Sequence, residues 1–176
     1  MGILGKLFRW IDENAEKTVI VIAYAVMTVI IFEEVVRRYT LKEQAAWSTT
    51  IPVYLFLWIA WIGCAYNVRK RSHLRFEEFR TNMRYGMQFA MLMLDAVLWL
   101  TMASVVLYYS IEYVQLLEMN WAIVPGTDSV MQWWFYMATP IGWSILILRV
   151  IQNAVEDIGD FRNGRPLKLS TSMTSD

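Results

Sequence analysis

Long charge-free stretches alternate along this chain with short clusters of arginine, lysine and glutamate. A hydrocarbon core of ~30 Å takes about 20 helical residues to cross, and four stretches meet that length. The first runs from Thr18 to Val36, uncharged as far as Phe32 and ending on Glu33 and Glu34. The second, Gln44 to Val68, holds no charge; the third, Tyr85 to Ile111, holds only Asp95; the fourth, Ser129 to Leu148, is uncharged and closes at Arg149. With no strand pattern between them, the prediction is an all-α membrane protein with four transmembrane helices, over about 18–36, 44–68, 85–111 and 129–149.

The segments between the spans carry the orientation. Lysine and arginine accumulate on the cytoplasmic side of a membrane protein. Thirteen of them fall in the N-terminal segment, the loop between spans two and three, and the C-terminal end; only Arg37, Arg38 and Lys42 fall on the other side. Both termini are therefore expected in the cytoplasm. In residues 1–17, Leu4, Leu7, Phe8, Ile11 and Ala15 recur at helical spacing opposite a charged face, the pattern of an amphipathic helix lying along the inner leaflet. Ser72 to Met83 has a similar composition. The acidic stretch Asp12, Glu13 and Glu16 breaks the N-terminal apolar run and argues against a cleavable signal peptide. Residues 18–162 form the transmembrane domain, and 163–176, rich in Ser and Thr, read as a flexible cytoplasmic tail.

Composition sharpens this picture mostly by exclusion. A content of 57% hydrophobic residues is too high for a soluble domain of 176 residues. Equal numbers of acidic and basic residues leave no nucleic-acid footprint. One cysteine, Cys64, excludes an internal disulfide, and one histidine, His73, excludes a bis-histidine haem. No nucleophile–base–orienter set can be assembled, so the chain does not read as an enzyme.

The remaining candidates are few. Asp95 lies within a span, where an ionisable group is costly and often functional; it reads either as a proton or cation site or as a group paired with a neighbour such as Arg149. Glu33 and Glu34 precede Arg37 and Arg38 by four residues, the favourable order for helix ion pairs. They form either a solvated helix end or a docking surface for a periplasmic partner. Trp58 and Trp61 lie on one helix face, with Gly63 nearby for close approach. Pro140 is expected to kink the fourth span.

Several motifs together resemble a known family, the small membrane subunit (DctQ or SiaQ type) of tripartite ATP-independent periplasmic (TRAP) transporters. They are Arg38-Tyr39, Trp47-Ser48, Trp58, Gly63-Cys64-Ala65, Arg69, Arg71 and His73-Leu74-Arg75, followed by Tyr136, Ala138, Pro140, Gly142 and Arg149. The chain departs from the family where glutamates commonly follow Trp-Ser: here stand Thr49 and Thr50, with Val53 for the usual arginine. Glu33, Glu34 or Glu43 are the acids left nearby.

The resemblance implies a scaffold subunit in the bacterial inner membrane, bracing a large elevator-type permease. A periplasmic binding protein would deliver an organic acid, such as sialic acid or a C4-dicarboxylate. It also implies that substrate and Na+ sites belong to the large partner, and the shortage of polar residues within the spans points to no ion site or cofactor in this chain. Arg69, Arg71 and His73 become candidates for a cytoplasmic subunit contact or a lipid-headgroup patch. The alternatives are a self-sufficient proton-coupled carrier using Asp95 and a structural subunit of an unrelated complex.

Overall fold

The computed structural model describes residues 3–70 and 83–167, with side chains described from Glu16 onward. Arg71, His73, most of the 72–83 segment, the tail beyond 167 and the side chains of the N-terminal amphipathic segment lie outside the described residues. The described chain forms five helices: α1 (Ile3–Thr40), α2 (Thr50–Arg69), α3 (Tyr85–Met119), the short α4 (Trp133–Tyr136) and α5 (Ala138–Arg162). Four spans are long and apolar enough to cross a bilayer, the last formed by α4 and α5 end to end.

The charge-free runs located the spans, and backbone chemistry set their ends. α1 continues through residue 17 without a break and reaches Thr40. With 38 residues it is about 57 Å long, well beyond the hydrocarbon thickness. α2 begins at Thr50, later than the uncharged run that starts at Gln44. Residues 44–49 instead form turns, with the Ser48 amide and hydroxyl both donating to the Ala45 carbonyl at 3.1 and 2.7 Å. Pro52 then falls in the first turn of α2, where its missing N–H costs nothing.

Pro140 acts similarly. It sits in the first turn of α5, directly after the interruption at Met137, so the expected kink becomes a junction between two helices. α5 then runs to Arg162, which makes Arg149 an interior residue of the helix rather than its end.

The spans stand in a row rather than a closed bundle. α2 packs against α1 on one side and α5 on the other, and α5 in turn packs against α3. The core lies along α2, α5 and α3, formed by Ala65, Val68, Ala103, Trp143, Leu146 and Val150, with Trp61, Cys64, Ala96 and Trp99 against it. Ala65 and Ala103 are fully buried, and such small residues let helix backbones approach closely in a membrane. The flanking helices are far more open: 6% of the apolar window of α1 is buried, against 33% of that of the last span. Val21, Ile22, Val29 and Phe32 on α1, and Val97, Leu98, Met102 and Val105 on α3, all remain exposed.

Aromatic clusters close the row at each end. Near the termini, Phe161 stacks on Phe89 and Tyr85, with centroids 4.1 and 5.4 Å away, and the Tyr85 hydroxyl donates to the Arg165 carbonyl at 2.7 Å. At the opposite end Tyr54 stacks on Phe135 at 4.9 Å, and its hydroxyl accepts from Gln132 Nε2 at 3.0 Å. There the α3–α4 connection folds into a small antiparallel bridge, Ile123 with Met131, which the sequence pattern did not predict. Its turn uses Gly126 at φ +84°, pressed so closely on the Ala46–Trp47 backbone that a Cβ would overlap it.

Candidate functional site

The polar groups of the described chain gather at the two ends of the row. At the end nearer the termini, Arg149 leaves α5 and is buried among its neighbours. Its Nε donates to Glu16 Oε1 at 2.7 Å, and its Nη1 donates to Gln152 Oε1 at 2.8 Å. Glu16 is buried as well, so this is a desolvated ion pair, strongly destabilising to break from one side. One turn further, Asn153 Nδ2 donates to the Val68 carbonyl at 2.9 Å and satisfies an orphan acceptor at the C-terminal end of α2. Asp157 is buried beside it and Arg69 is half-buried; both are engaged with neighbours. The arrangement ties α1, α2 and α5 together at one level.

Glu16 is the member of this seam that sequence reasoning missed, having taken it only as part of an acidic interruption. The available signal was depth: Glu16 precedes the first uncharged run and Arg149 follows the last, so antiparallel spans bring them to the same level. Arg149 thereby makes its bonds to Glu16 and Gln152 inside this chain.

Asp95 lies half-buried on α3 and is engaged with a neighbour rather than free. Among the described residues no group of three or more His, Cys, Asp or Glu side chains could hold a metal ion.

The Trp58–Trp61–Gly63 surface separates on inspection. Trp61 packs against Trp143 with centroids 5.3 Å apart, while Trp58 stays partly exposed. Gly63 has open space where a Cβ would stand, so no other helix of the described chain approaches closely there. The point of close approach is Gly142, where a Cβ would collide with Cβ of Trp61 and crowd its backbone at 3.3 Å. The close contact pairs α5 with α2, and it needs the glycine on α5 because Trp61 supplies the bulk on the other side. Pro140, with Leu107, Ile111, Ile145 and Leu148, lines a shallow apolar groove between α3 and α5.

At the opposite end, the two expected helix pairs behave differently. Glu33 faces Arg37 at 3.9 Å, with Glu33 exposed and Arg37 half-buried. Glu34 does not pair with Arg38; both carboxylate oxygens are shielded from solvent and neither accepts a hydrogen bond. They lie beside a groove between the C-terminal end of α1 and the start of α2, lined by Glu34, Arg38, Tyr39, Ser48, Thr49 and Pro52. Glu43 is exposed in the connection between the two helices.

Comparison with known proteins places this architecture. Residues 27–160 match the family model described as tripartite ATP-independent periplasmic transporters, DctQ component. The chain is 25% identical over 161 residues to the isethionate TRAP transporter permease protein DctMQ of Oleidesulfovibrio alaskensis, covering 86% of this chain but 24% of that protein. It is 19% identical over 147 residues to the sialic acid TRAP transporter small permease protein SiaQ of Vibrio cholerae, covering 84% of this chain and 83% of that one. The chain thus spans about a quarter of the length of the first relative and most of the second. The match runs from the middle of α1 almost to the end of α5, through the turn at Ser48, the Gly142 contact and Arg149. With its four membrane-compatible helices, the chain belongs to the DctQ family: it is a small-permease component of a TRAP transporter and not an enzyme.

Proposed function

We propose that this chain is the static membrane scaffold of a binding-protein-dependent secondary transporter in the bacterial inner membrane. It braces a large permease subunit while that subunit carries an organic acid across, driven by Na+. The observation that carries this reading is the open row: α2 and α5 hold a packed core, whereas α1 and α3 leave long apolar faces uncovered by the chain itself. Such faces suit lipid on one side and a large helical partner on the other.

A scaffold must hold a fixed depth and shape. The buried Glu16–Arg149 pair, the Asn153 cap and the two aromatic clusters lock the row at both ends. With the termini in the cytoplasm, the N-terminal amphipathic segment would lie at the inner leaflet, and the groove beside Glu34 would face the periplasm. The relatives' names carry isethionate and sialic acid, which favours an organic acid as cargo. The cargo and Na+ sites are assigned to the large subunit. The carrier reading is disfavoured by Asp95, which is already engaged and, among the described residues, belongs to no cluster of acidic or other metal-binding side chains.

The test is reconstitution. Proteoliposomes holding this chain with its large permease and periplasmic binding protein are expected to take up the organic acid in a Na+ gradient. Proteoliposomes holding this chain alone are expected to take up none; uptake by the chain alone, abolished by Asp95→Asn, would establish the carrier reading instead.

A further inference from the structure

Glu34 is the one acid of α1 among the described residues whose two oxygens are both shielded and without a hydrogen-bond partner. Glu34 is half-buried, and carboxylate oxygens shielded from solvent without donors are an unmet hydrogen-bonding capacity. The neighbours that could meet it do not. Arg38, one turn along, lines the same groove without bonding to the carboxylate, and the Ser48 hydroxyl is committed to the Ala45 carbonyl at 2.7 Å. The residue also stands beside a groove of about 470 Å³, large enough to accept a whole side chain rather than a single water. The groove's rim is made of exposed residues, Arg38, Tyr39 and Thr49, so side-chain rotation alone opens a path to the carboxylate.

We infer that this groove receives a basic side chain, arginine or lysine, from the large permease subunit, and that Glu34 is its counter-ion. The inference rests on the scaffold reading above and names the contact through which the scaffold grips its partner at the end of the row away from the termini. Charge complementarity selects the occupant: the walls are partly apolar, which suits the stem of a long side chain, and the unmet need is for N–H donors. One relative supplies an independent reason to expect a protein rather than an ion in the groove. In that permease protein, DctMQ, the stretch resembling this chain is only 24% of the polypeptide, so a much larger protein portion is covalently joined to it. A pair of this kind stabilises the complex mainly because leaving one member buried alone is costly.

The test uses the full chain co-expressed with its large permease and captured in mild detergent, and separately the full chain alone. Glu34→Gln keeps the shape and removes the charge. It is expected to retain about tenfold less large permease than wild type, while Glu33→Gln, one residue away and exposed, retains the wild-type amount. The melting temperature of the full chain alone is expected to stay level or rise in Glu34→Gln, because a dehydrated charge has been removed. Wild-type retention by Glu34→Gln would overturn the inference. A lowered melting temperature of the chain alone would overturn it too, by making Glu34 a structural residue of this chain. Failure of the wild-type chain to retain any large permease would overturn the scaffold reading, and the inference with it.

Discussion

Glu16 and Glu34 lie on the same helix, near the two ends of the same span, and meet opposite surroundings. Glu16 is buried against Arg149, whose Nε lies 2.7 Å from its Oε1. Glu34 is shielded just as fully at its oxygens, and no donor reaches them. The first arrangement joins helices distant in sequence and makes that end of the row self-contained. The second leaves a carboxylate for which the described residues supply no donor. The two ends of one span thus differ in whether the shielded acid meets a cation of the same chain among the described residues.

The comparison can be broken most severely at the closed end. Arg149→Met should leave Glu16 buried without its partner and destabilise the chain by about 3–5 kcal/mol, read as a fall in the thermal midpoint of detergent-purified protein. Adding Glu16→Leu should restore most of that loss, since the stranded charge is then gone; equal midpoints for the single and double variants would show that the two residues do not act together.

Next in size come the two close approaches. Gly142→Val should cost about 1–3 kcal/mol through overpacking against Trp61, whereas Gly63→Ala, with open space around it, should leave the thermal midpoint unchanged. Gly126→Ala combines a positive φ with a backbone collision. It should loosen the Ala46–Trp47 turn, seen as faster hydrogen exchange at that end of the row with the Asn153 end undisturbed. Asn153→Leu removes the cap on the Val68 carbonyl and should cost about 1–3 kcal/mol by leaving a buried acceptor unpaired; a loss of protection at the end of α2 in hydrogen exchange would locate the effect. The smallest change is expected from Glu33→Gln. Its exposed pair with Arg37 contributes at most a few tenths of a kcal/mol, so a measurable drop in stability there would show that the open end is more tightly organised than its geometry implies.

Much of this was legible along the chain. The four long apolar runs, nearly free of charge, predicted the four spans because the hydrocarbon core disfavours charge whatever the neighbours are. The Glu33–Arg37 pair was legible because a helix alone sets that spacing. Other features depended on what another helix presents. Gly63 and Gly142 are the same residue type in similarly apolar surroundings, yet only Gly142 meets Trp61. Glu34 stands in the same relation to Arg38 as Glu33 does to Arg37, and the packing of α1 on α2 separated their fates. The small hairpin-like bridge around Gly126 escaped notice because two residues of pairing leave no alternating pattern to read.

The sequence by itself determined the element type, the number of spans and the family, because these follow from local hydrophobicity, backbone chemistry and motif order. Only the tertiary structure decided which acid is answered and which is not. Burial and hydrogen bonding are properties of pairs of helices, and the order α1–α2–α5–α3 brings together residues that the linear chain keeps as much as 133 positions apart.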